Sequence, residues 1–232
     1  MNDLIHFGPL TFGDALALAL LVASWLVLGF VIEHPPARHP SVSAIMQEFR
    51  RDWMRQFLTR QPRIFDATMI DSLRQGTAFF ASASMIAIGG GVALMGNAGV
   101  AVGLAEDLTL PADPVAFQIR VLPVIAFLAN ALLKFVWAHR LFGYCAILMA
   151  AVPNDPAAPD AMERALQAAE VNIHAAKNFN RGLRAIYFAL GALGWLLGPI
   201  GMVATVTMVS GVLIRREFAS QSRQIKIGRA HV

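Results

Sequence analysis

The chain has 232 residues, of which 56% are hydrophobic and only 15% charged, with a formal net charge of +4. A soluble domain carries about 25% charged residues, so this composition excludes an ordinary soluble enzyme. The single cysteine, Cys145, excludes an internal disulfide and a cysteine-based metal cluster.

Four apolar segments dominate the chain: Phe12 to Ile32, Thr77 to Gly96, Ile119 to Trp137 and Ala185 to Ile214. Each reaches the roughly 19 residues an α-helix needs to cross a hydrocarbon core of about 30 Å. The expected fold is all-α: one membrane domain over residues 1–226, a four-helix bundle with an amphipathic interfacial helix and cytoplasmic helical extensions. The first segment has no Lys or Arg before it and no small-residue cleavage site after it, so it reads as a span and not as a signal peptide.

Asp14 lies near the start of the first span and reads as a carboxylate at the water interface, favoured by the positive end of the helix dipole. Pro35 and Pro36 stop that helix. From Ser41 to Arg60, Ile45, Met46, Phe49, Trp53 and Phe57 share one helical face, with Arg50, Arg51 and Arg55 off it. An Arg-rich, aromatic-bearing helix of this kind lies in the headgroup plane or packs against a neighbouring subunit.

The second span carries a stripe of small residues, Ala83, Ala87 and Gly91, that lets helix backbones approach closely. The fourth carries Gly194-x-x-x-Gly198, the same packing signal, and Gly198-Pro199 should kink it. Between spans two and three, Asn97 to Asp113 is a Gly-rich, acidic loop. After span three the apolar run resumes from Leu141 to Val152, too short to cross again, and reads as a helical extension. Asp160-x-x-Glu163 resembles a capping box that starts an Ala-rich helix leading into span four. At the C-terminus, Ile227 to Val232 continues no helical pattern, and its codons can be written as a common sequencing adapter read in frame. It is expected to be an artefactual or disordered tail.

Arg38, Arg50, Arg51, Arg55, Arg60, Arg63 and Arg74 fall between spans one and two; Arg164, Lys177, Arg181 and Arg184 fall between spans three and four. The positive-inside rule puts both basic loops in the cytoplasm and the N-terminus outside. Four complete crossings then leave Arg215 and Arg216 outside, where they snorkel to the outer headgroups. The alternative is that Gly198-Pro199 turns the chain back. The two halves, about 15 residues each, are short for that, so four crossings are expected.

No Gly-x-Ser-x-Gly elbow, phosphate loop or His-Glu-x-x-His motif occurs. No catalytic residue, metal site or cofactor is assigned, and no nucleic-acid fold motif accompanies the basic charge. Lys134, His139, Arg140, Arg181 and Arg184 form the candidate contact set for an anion or lipid headgroup, because ionisable groups beside spans are costly and usually have a partner or a task. The partners expected are membrane lipids, especially anionic ones, and further copies of the chain.

The run Lys134-Phe135-Val136-Trp137-Ala138-His139-Arg140-Leu141-Phe142 resembles a bacterial family called domain of unknown function 599. So do Arg63-Ile64-Phe65-Asp66, Gly76 to Ser82, Phe179 to Arg184, Phe188-Ala189-Leu190 and Trp195. The chain departs from that pattern at His139, where an aromatic is usual, and at Gly143, where Asn is usual. The resemblance covers nearly the whole chain and implies a bacterial inner-membrane protein, with no activity attached. The expected function is non-enzymatic and oligomeric, in transport or as a membrane scaffold. The alternative is a membrane enzyme acting on lipid or headgroup substrates, which the expected placement of Asp14 and Lys134 near opposite faces disfavours.

Overall fold

The computed structural model describes residues 10–97, 99, 103 and 113–220. Both the tail 227–232 and most of the acidic loop 97–113 lie outside the described residues. Among the described residues six α-helices follow in order: α1 (Phe12–Glu33), α2 (Val42–Phe57), α3 (Ile64–Gly96), α4 (Pro114–Ala150), α5 (Ala161–Leu193) and α6 (Pro199–Phe218). A 3-10 turn, Gly194–Leu197, joins the last two. The fold is all-α among the described residues. The helices α1, α3, α4 and α6 are long and apolar enough to cross a membrane.

What these helices expose matters as much as what they bury. Only 6% of the most apolar window of α3 is buried. Phe79, Met85 and Ile86 point outward, as do Leu16, Leu26 and Phe30 of α1. In water such continuous apolar faces would drive association; against lipid tails they carry no such penalty.

The chain divides into two compact units. Among the described residues, unit 1 comprises 10–31, those within 84–131, and 183–216. Its interior is aromatic and aliphatic: Trp25 meets Phe127 edge-on at 5.3 Å, and Phe127 stacks on Phe188 at 6.0 Å. The segment expected as one kinked span, 185–214, is two helices that fold back on each other. Thr205 Oγ1 donates to Gly191 O at 2.6 Å, Gly191 lies against Val206, and Arg216 Nη1 donates to Tyr187 Oη. Rising positions on α6 meet falling positions on α5, which is an antiparallel hairpin. Gly198 makes the turn with φ +94°, a conformation glycine adopts without strain, and Pro199 opens α6 with no backbone N–H to leave unsatisfied. The arms are longer than the apolar count suggested, because α5 starts far upstream of Arg184 and α6 continues past Ile214 to Phe218.

Among the described residues, unit 2 comprises 32–83, 132–182 and 217–220. Ser41 caps α2: its hydroxyl accepts from Ala44 N at 3.1 Å and donates to Ile32 O at 2.9 Å. The amphipathic α2 buries Met54 and Phe57 with Leu58 against Ile70, Cys145, Met149 and the alanine face of α5. Phe49 stays exposed. The polar side of α2 also docks on α5. Arg50 bonds Asn172, and Arg51 Nε bonds Glu170 at 2.7 Å. That bond holds the Arg51 guanidinium above its ordinary pKa, whereas burial pushes Arg50 down. The extension after span three is the C-terminal part of α4, with Phe142, Cys145 and Met149 buried in protein. Asp160 pairs with Arg164. A second core is aromatic: Phe80, Phe135 and Phe179 lie 5.4–5.6 Å from one another. Gly182 admits the Phe135 ring, which a Cβ there would meet at 2.7 Å.

Candidate functional site

A cavity of about 320 Å³ opens in unit 2. Its first wall is the start of α3, where Arg63, Ala67, Ile70, Asp71 and Arg74 recur at three- and four-residue steps on one helical face. Ala146, Met149 and Ala150 of α4 form the facing wall, with Asn154 beyond them and Phe57 at the end of α2.

The polar groups of this wall are unequal. Arg63 is fixed: its Nη1 and Nη2 donate to Val152 O at 3.0 Å and Pro153 O at 2.8 Å, and its guanidinium lies 4.4 Å over the Phe57 ring. Asp71 accepts from Gln75 Nε2 at 2.6 Å. Arg74 forms no ion pair among the described residues. Buried Nε atoms without a partner belong to both Arg63 and Arg74. Nearby in sequence, Asp66 is fully buried; it accepts from Trp53 Nε1 at 2.6 Å and pairs with Arg60. That network ties α2 to α3 and sets the turn on which Arg63 sits.

The five residues expected to meet an anion go to different surroundings, and none lines the cavity. Lys134 is half-buried on α4. His139 Nδ1 approaches Thr77 Oγ1 at 3.3 Å and Arg74 O at 3.2 Å. The exposed Arg140 bonds and covers Tyr144, one turn on. Arg181 takes both oxygens of Glu33, through Nε at 2.9 Å and through Nη2. Arg184 is 7% exposed and belongs to unit 1.

The packing residues also divide. A Cβ on Gly194 would collide with Thr205 Oγ1 and Gly201 O, and one on Gly91 would stand 3.1 Å from Ile125. Gly198 is the turn and has open space around it. Ala83 and Ala87 are exposed. Asp14, expected at the water interface, is 1% exposed. It accepts from Thr11 N, Thr11 Oγ1 and Trp195 Nε1 at 2.9, 2.7 and 2.6 Å, with Arg120 Nη2 at 3.5 Å. The hairpin brings Trp195 over it, which the local sequence around Asp14 does not announce.

The cavity arginines were visible in the sequence as loop charges. The signal for a shared face was their spacing with Ala67, Ile70 and Asp71. It went unused because the apolar segment starts at Thr77, whereas α3 starts at Ile64.

Four apolar helices with outward-facing hydrophobic surfaces define a multi-pass membrane protein. Residues 16–222 match the family described as "Protein of unknown function, DUF599". The chain belongs to that family. No curated protein and no solved structure matches it.

Proposed function

We propose that this chain is a five-crossing protein of the bacterial cytoplasmic membrane, with its N-terminus outside and its C-terminus in the cytoplasm. It works without catalysis, as an oligomer in contact with anionic lipid, in transport or as a membrane scaffold. The observation that carries the topology is the α5–α6 hairpin. Beyond α1, α3 and α4, it adds two arms, and an odd number of crossings returns Arg215 and Arg216 to the side of the other basic segments. The positive-inside rule is then met by every basic cluster, and no arginine needs to snorkel outward. The lipid partner is supported by guanidiniums of unit 2 that pair with no carboxylate among the described residues, Arg74 and Arg140 among them. The exposed Ala83 and Ala87 leave one face of α3 open to a second copy.

Cysteine accessibility tests the topology. In a Cys145→Ser background, single cysteines at Arg60, Ala157 and Ser220 are expected to resist a membrane-impermeant thiol reagent in intact cells, and one at Ala105 to react. Labelling at Ser220 would restore four crossings; labelling at Arg60 or Ala157 would overturn the orientation.

A further inference from the structure

The unit 2 cavity is built for a ligand with an apolar body and one negative charge. Phe57, Ala67, Ile70, Ala146, Met149 and Ala150 give it an apolar wall. Two guanidiniums and one carboxylate, Arg63, Arg74 and Asp71, leave that wall one positive charge in excess. Arg63 spends its terminal nitrogens on carbonyls, and Asp71 is held by Gln75. Arg74 is therefore the cation left to recognise a ligand, and its buried Nε lacks an acceptor. A buried donor without an acceptor is an uncommon and costly state, which an arriving anion relieves. The volume lies at the lower end of the range for small-molecule pockets. It suits one acyl chain segment and excludes the body of a two-chain lipid.

We propose that this cavity binds an amphiphile made of one acyl chain and an anionic head, carboxylate or phosphate, with the head on Arg74 and the chain between Ile70 and Met149. This rests on the reading that unit 2 is where the protein meets anionic lipid. A free fatty acid and a single-chain phospholipid share the chemistry.

The test uses the full chain in phosphatidylcholine–phosphatidylglycerol vesicles and three photoreactive probes: a diazirine palmitate, a diazirine lysophosphatidylglycerol and a neutral diazirine monoacylglycerol. At least one anionic probe should label peptides containing Ala67 or Met149 saturably. The neutral probe should label them about tenfold less, as loss of one charge-assisted hydrogen bond implies. The stronger anionic probe identifies the head as carboxylate or phosphate. Arg74→Gln removes the cation and Ala150→Phe fills the exposed rim; each should cut labelling about tenfold. Arg74→Lys should recover part of it, and Arg55→Gln, at a guanidinium paired with Asp52 outside the cavity, should leave it unchanged. Thermal unfolding confirms that each variant is folded. Equal labelling by the neutral probe, or labelling that survives both Arg74→Gln and Ala150→Phe, overturns the proposal. External labelling of a cysteine at Ser220 would break the topology without touching the cavity result. Intact topology with an unlabelled cavity would sink the cavity alone.

Discussion

Units 1 and 2 treat most of their charge differently. Basic residues in unit 1 are confined to Arg120, Arg184, Arg215 and Arg216. Its central carboxylate, Asp14, is sealed in a network of four donors. Unit 2 also seals one carboxylate, Asp66, with Trp53 and Arg60, but it spreads many of its other charges over open ion pairs such as Arg51 with Glu48 and Glu170, and Arg55 with Asp52. The contrast teaches that one residue type does two jobs in this chain. In unit 1 a charge joins helices, because an unpaired one would cost several kcal/mol in a dry interior. Beyond Asp66, the exposed pairs of unit 2 contribute little to stability, and Arg74, in no ion pair among the described residues, is available for a ligand.

The sharpest way to break this contrast is to remove a carboxylate from one unit and an arginine from the other. Asp14→Ala strands the Trp195 indole N–H and the Arg120 guanidinium, and should cost about 3 kcal/mol, with Arg120's partial exposure already discounted. Unfolding of the purified protein in detergent measures it. A cost no greater than that of Arg51→Ala would mean that unit 1 does not seal its charge.

Gly194→Ala comes next. Its methyl group meets Thr205 and the Gly201 carbonyl, so the hairpin must spread, at about 1–3 kcal/mol. Loss of stability should be accompanied by weaker protection of α6 from hydrogen exchange. Unchanged exchange would show that the arms are not in close contact.

Gly91→Leu should destabilise by roughly 1–2 kcal/mol, since Ile125 must move. Ala87→Leu, on the exposed side of the same helix, should leave monomer stability unchanged and weaken self-association measured by cross-linking in membranes. If the two variants behave alike, the small-residue stripe has a single role. The smallest effect is expected for Arg51→Ala in unit 2, at about 0–1 kcal/mol and reduced further by salt.

Much of this fold was legible in the sequence, for reasons of length and period. Apolar runs of span length became helices, and the small residues at Gly91 and Gly194 became close contacts. The Gly-Pro signal marked the break at residue 198, because the preference for glycine at positive φ is a local property. The direction of the chain after the break was not local. It depends on Thr205 reaching Gly191, a contact between separate helices. Asp14 failed for the same reason: its principal donor, Trp195, is 181 residues away. In the expected anion set, Arg181 and Arg140 have partners that sequence proximity to the other cations does not announce. Arg181 then found Glu33, and Arg140 found Tyr144.

The tight turn at Gly198 bears on how the protein enters the membrane. Between α5 and α6 lie only Gly194, Trp195, Leu196, Leu197 and Gly198, none of them charged. On the five-crossing reading, insertion of this pair moves no ionised group and no polar loop through the hydrocarbon. The α5 arm carries a buried arginine, Arg184, near its start; Thr205 Oγ1 bonds Gly201 O in its own helix at 3.0 Å and reaches Gly191 O of the facing arm at 2.6 Å. A bond between the arms and so short a turn hold them side by side, so the translocation machinery should release them together, as one preassembled wedge.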